Sequence, residues 1–159
     1  MQENNYLSEQ QDYYRQRQHQ SGWQNVVQVL FLGIQANAEN TDARAFLHSM
    51  GAKLAQQQPL PLSQTVGELE DNINHLWASY HWGFVHIDTN EQEIRLTHCA
   101  WPDTDNSGEK RQWKIAFATF LAGIYSEWLS QQGGHPEVNA QWLDNEIEGP
   151  LVFRYKSGI

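Results

Sequence analysis

Apolar residues recur along this chain with two periods, and the switch between them divides it into elements. Trp23, Val27, Leu30, Phe31 and Ile34 fall at helical spacing and predict a helix over 23–38. Val26, Val29 and Leu32 widen that stripe almost to the full circumference. A helix apolar nearly all round is expected to be covered on more than one side. In so small a chain, a second copy is the expected cover. Asn40-Thr41-Asp42 reads as a turn and cap cluster before a second helix, 42–58, with Ala43, Phe46, Leu47, Met50 and Leu54 inward. Pro59-Leu60-Pro61 stops it. Ser63 or Thr65 caps a third helix with Val66, Leu69, Ile73, Leu76 and Tyr80 inward, ending near His81-Trp82-Gly83.

The period then changes to two. Phe84–Asp88 and Ile94–Cys99 alternate as strands joined through Thr89–Gln92. After a polar loop, 102–110, a helix over 113–132 carries Trp113, Phe117, Phe120, Leu121, Ile124, Tyr125, Trp128 and Leu129 as one stripe, and Gly133-Gly134 ends it. Strands over 140–148 and 151–156, turned at Gly149-Pro150, complete the pattern. Three helices, a hairpin, a long helix and a hairpin predict an α+β fold with an antiparallel sheet packed on helices. Residues 1–21 are rich in Gln and Asn and poor in aliphatic surface, which predicts a flexible arm before a single domain at 22–159.

Composition narrows the partners. The 159 residues hold 19 Asp and Glu against 10 Lys and Arg, a net charge of −9. Without a basic footprint, neither nucleic acid nor an anionic membrane surface is an expected partner. One cysteine, Cys99, allows no disulfide within the chain. No apolar run reaches the roughly 18 residues of a membrane span. Met1 to Tyr6 lack the basic start and apolar run of a secretory signal, so a cytoplasmic location is expected rather than a periplasmic one.

Catalytic signatures such as G-x-S-x-G, H-E-x-x-H, the phosphate-binding P-loop and G-x-G-x-x-G do not occur. His81, His86, Asp88, His98 and Cys99 gather around the first hairpin. If its strands pair closely, His86 and His98 could share a face and offer zinc a site, but surface or interface histidines are the simpler account. No metal or cofactor is expected. Asp144, Glu146 and Glu148 alternate on one strand, and Asp103 and Asp105 lie in a loop. A glycosidase needs two carboxylates about 5–10 Å apart, and a solvated strand face explains the first group more simply. Among the 7 tryptophans, Trp113 and Trp128 belong to the core stripe, whereas Trp77, Trp82 and Trp101 flank turns and are the more open candidates for an interface or ligand.

The order of segments goes further. FLHSMGAKLAQQQPL at 46–60, TVGEL at 65–69, INHLW at 73–77, HWGFVHID at 81–88, IRLTH at 94–98 and FLAGIYSEWL at 120–129 follow one another as in the D subunit of bacterial cellulose synthase. The chain resembles that family over about 23–157. The resemblance implies a non-catalytic accessory protein that assembles as a cylindrical octamer built from dimers. It implies that N-terminal helical regions line passages able to hold glucan chains, and that the cylinder helps arrange synthase complexes at the inner membrane for export and crystalline fibril assembly. A proline-rich companion acts with some members. By this resemblance Gln20, Ser21, Trp23 and Gln24 fall in the passage-lining region, while Val26, Val29 and Leu32 are the expected interface between copies. Amides, a hydroxyl and an indole suit weak contact with a neutral polyol strand. The competing readings are a ligand-binding or tethering-type sensor domain, which shares the layout, and a small glycan-processing enzyme.

Overall fold

A computed structural model describes residue 10 and residues 23–37, 40–103, 108–144 and 149–156. Among the described residues, these helices and strands follow in the expected order: α1 (Trp23–Asn37), α2 (Asn40–Gln57), α3 (Val66–Tyr80), β1 (Phe84–Thr89), β2 (Ile94–Cys99), α4 (Lys110–Gln131), β3 (Gln141–Trp142) and β4 (Leu151–Tyr155). The sheet is antiparallel throughout, with strand order β1-β2-β4-β3. Val85, Ile87, Leu96, His98, Leu151, Phe153 and Tyr155 form its buried face.

α4 is the centre of the domain. From Trp113 to Leu129 it is buried on nearly every side, between the sheet, α2 and α1. α2 closes on it through glycines. A Cβ on Gly51 would collide with the carbonyl oxygen of Phe120, and one on Gly123 with that of His48. The two backbones therefore approach as only glycine permits. This close approach sets the buried face of α2 as Ala43, Leu47, Gly51 and Ala55, leaving Met50 and Leu54 half-buried and Phe46 exposed, contrary to the inward role expected for Phe46.

Thr65 is the cap of α3. Its Oγ1 accepts from Glu68 N at 3.1 Å, while Glu68 Oε2 accepts from Gln64 N at 2.7 Å. Leu69, Ile73 and Trp77 are its buried residues, and Val66 is exposed rather than inward. α3 also blunts the sheet edge. Asn74 brackets Val85, accepting from its N–H at 2.7 Å and donating to its carbonyl at 2.9 Å, and Glu70 accepts from Ile87 N at 2.7 Å. Side chains thus replace the missing neighbour strand on β1.

Three boundaries differ from expectation. α2 begins at Asn40, two residues before the expected start at Asp42, and so takes in part of the expected turn and cap cluster. α4 begins at Lys110, one turn early. β3 is two residues long, with Leu143 N reaching Val152 O beyond it, in place of the longer strand expected over 140–148. The expected positions 145–148 lie outside the described residues, as does nearly all of the arm 1–21.

Candidate functional site

One set of buried polar groups closes on itself. Trp77 Nε1 donates to Tyr125 Oη at 3.0 Å, and Tyr125 Oη lies 2.5 Å from His98 Nδ1. His98 Nε2 lies 2.6 Å from the Trp82 carbonyl. A carbonyl can only accept, so Nε2 carries the proton, Nδ1 accepts from Tyr125, and Tyr125 accepts from Trp77. Each of these side-chain donors and acceptors is thereby used. Burial pushes the His98 pKa down to about 4 and raises that of Tyr125. His98 is fully buried, which makes it a structural group rather than an acid–base one.

The other candidates for chemistry separate. His98 pairs with Val85 and His86 with Thr97, so the two histidines project from opposite faces of the sheet and cannot share a ligand. Among the described residues no three His, Cys, Asp or Glu side chains gather about a common point. Asp144 is held by Arg111 through two bonds of 2.9 and 2.5 Å, and this pairing lowers its pKa. Glu146 and Glu148 lie outside the described residues. Trp77 is fully buried, which corrects the expectation that it stands open. Trp82 and Trp101 are half-buried against Phe117, with Trp101 Nε1 donating to Gly149 O at 3.0 Å.

What remains exposed and apolar is concentrated on α1. Phe31 anchors the helix, its ring centroid 5.7 Å from that of Trp113 and 5.3 Å from that of Phe120. Gln28, Phe31, Leu32 and Gln35 are half-buried and share one side at about 100° per residue. Trp23, Val26, Val27, Val29 and Leu30 are exposed, with Trp23 at 74%, Val26 at 49% and Val29 at 71%. The expected inner role of Trp23, Val27 and Leu30 is therefore corrected. α1 turns glutamines toward its own domain and valines away from it. The Gln35 Oε1 is buried without a hydrogen-bond partner among the described residues.

Of the residues singled out from sequence, Val26 and Val29 stand on this outer face and Leu32 is half-buried beside it. Trp23 projects at the start of the helix. Gln24 belongs to α1 with its side chain outside the described residues, and Gln20 and Ser21 lie outside them altogether. No charged residue occurs between Arg17 and Glu39. The α1 surface thus offers apolar area and an indole, and no titratable group for acid–base or nucleophilic work. A second exposed apolar spot, Leu62 and Val66, was not singled out in the sequence, because Val66 fits the helical stripe and Leu62 reads as loop.

Fold and surface together define a small α+β domain that presents an uncharged apolar helix on its outside. The profile of the cellulose synthase D subunit family matches residues 9–156, and the chain belongs to that family. Its relatives include the cellulose synthase operon protein D of Komagataeibacter xylinus and that of Komagataeibacter sucrofermentans. Each is 32% identical over 91 residues, covering 55% of this chain and 56% of the relative. A further K. xylinus protein of that name is 30% identical over the same length. The chain spans about half the length of the curated relatives it matches. Among the described residues, no helix is long and apolar enough to cross a membrane.

Proposed function

We propose that this chain is a non-catalytic accessory protein of a bacterial cellulose synthase complex. In this reading it forms an octameric cylinder, built from dimers, on the cytoplasmic side of the inner membrane. The cylinder organises synthase complexes and guides glucan chains toward export and crystalline packing. Gln20, Ser21, Trp23 and Gln24 face the glucan, and Val26, Val29 and Leu32 are buried between copies. A proline-rich companion protein is a further partner in this scheme.

The observation that carries the reading is the outer face of α1. Five large apolar side chains there are exposed in the single chain. At about 25 cal/mol per Å² of apolar surface removed from water, covering such a face favours association. Singly scattered apolar residues need no explanation, whereas a contiguous patch marks an interaction site. The indole of Trp23, exposed at the end of that face, can stack on a sugar ring without fixing the chain tightly.

Val29→Asp tests this. Val29 makes no part of the core, so the monomer should keep its fold and circular dichroism. The assembly should fall to monomers or dimers by light scattering, and a cellulose-producing host carrying the variant should spin less ordered fibrils. An undiminished assembly would remove α1 from the interface.

A further inference from the structure

The connection between α2 and α3 is unusually well fastened for a loop. Trp128 Nε1 donates to the Gln58 carbonyl at 2.9 Å. The side-chain amide of Gln132 grips the loop twice, donating to Pro61 O at 3.0 Å and accepting from Ser63 N at 2.9 Å. Asn72 Nδ2 donates to Ser63 Oγ at 3.0 Å. Pro59 and Pro61 fix two more backbone angles. Leu60 turns in and packs against the core. Leu62, held in the middle of these bonds, turns out and is 78% exposed, and Val66, the first residue of α3, is 39% exposed. An apolar side chain displayed on a backbone already ordered loses little entropy on docking, which is the character of an interface anchor.

Charge indicates what it meets. Copies of a chain with net charge −9 repel one another on average, and an uncharged surface lets them meet without that cost. Three stretches of fourteen residues or more carry no Asp, Glu, Lys or Arg, and the one at 72–87 contains most of α3 and the buried strand positions of β1; the other two reach exposed apolar side chains. Of those two, one runs between Arg17 and Glu39 and contains α1, and the other runs between Lys53 and Glu68 and contains this loop. The two do not satisfy each other within one copy. Phe31 seats α1 on Trp113 and Phe120 in the first half of α4, whereas the loop is bonded to Trp128 and Gln132 at its end. Leu62 and Val29 are both open with all of these elements in place.

We propose that residues 58–66 form a rigid apolar knob that seats on the outer face of α1 of a neighbouring copy. Leu62 enters between Val26, Val29 and Leu30, and Val66 covers the flank. The contact joins two different patches: made once between two copies it is heterologous and repeats into a ring or stack, and made reciprocally it closes a two-fold dimer. The inference rests on the reading of α1 as an assembly surface and adds what occupies it.

Two experiments on the full-length protein test it. Leu62→Asp should lower the assembly mass at least twofold by light scattering, with circular dichroism unchanged because Leu62 is outside the core. If Val29→Asp dissociates the assembly and Leu62→Asp leaves it intact, the knob is wrong and the α1 reading stands. If neither variant changes the mass, both are wrong. The second experiment places Leu62→Cys and Val29→Cys on separate copies, each with Cys99→Ser, and mixes them with a short bismaleimide. A covalent pair containing one copy of each is the expected product. Pairing of Leu62→Cys copies with each other instead, or no covalent pair in an assembly of full mass, would overturn the proposal.

Discussion

His98 shows how one residue ties four parts of this fold together. It stands on β2, takes a hydrogen bond from Tyr125 of α4, leans on Trp77 of α3, and holds the Trp82 carbonyl in the turn before β1. The arrangement is satisfied only by a neutral imidazole. A proton on Nδ1 would force Tyr125 Oη to accept from both sides and leave its own hydrogen without a partner. The folded pKa of about 4 lies below the unfolded value of 6.5, so the unfolded chain takes up the proton first. Stability from this residue is therefore complete above pH 6.5, falls as pH drops toward 4, and is level below that. Between pH 7 and 5 the wild type should lose roughly 2 kcal/mol more than His98→Gln in urea denaturation. Equal losses in the two proteins would show that His98 does not carry this burden. Cys99 and Tyr125, the neighbouring titratable groups, both have pKa values raised by burial and stay neutral across the window.

The helices show why pattern and structure diverge where they do. The buried stripe of α4 was legible in full, though not its first turn, because a helix buried on all sides needs only apolar residues at most positions. α2 was legible as a helix and misread in its orientation. Phe46 looks like a core residue by size and spacing, but Gly51 and Gly123 decide which side of α2 faces α4, and periodicity gives glycine no weight. Gly51→Ala tests that explanation. The substitution gains about 1 kcal/mol of helix propensity. It also drives a methyl into the Phe120 carbonyl and against Ile124 N, which are backbone atoms of the central helix and cannot step aside. A net loss of about 3 kcal/mol is expected from the forced separation of the helices. A neutral or stabilised protein would mean that the two helices are not in such close contact. The same limit applies to α1, where the expected stripe of Trp23, Val27 and Leu30 proved to be outward and the glutamines of the opposite side half-buried. An isolated sequence shows that a helix is apolar, and not which of its faces its own domain covers. The metal alternative failed for a related reason: facing histidines depend on register, and the pairing of Val85 with His98 sets His86 on the other side.

At the scale of the molecule, the features of this chain point outward. His98 is sealed in the core and Asp144 is paired with Arg111, while most of the exposed large apolar side chains among the described residues lie on α1 and around the loop bonded to the end of α4. Membership of the cellulose synthase D subunit family gives such surfaces a setting, and the proposed cylinder gives them an occupant. The expected passage residues rest on family resemblance alone, since Gln20 and Ser21 lie outside the described residues and Trp23 is distinguished only by its exposure. Everything proposed for these surfaces depends on copies of the chain completing one another. Absolute mass in solution, by light scattering on a sizing column, decides whether they do. A species near eight times the 18.4 kDa chain mass is expected. A clean monomer at working concentration would refute the cylinder, and would leave the exposed face of α1 to a partner other than a second copy.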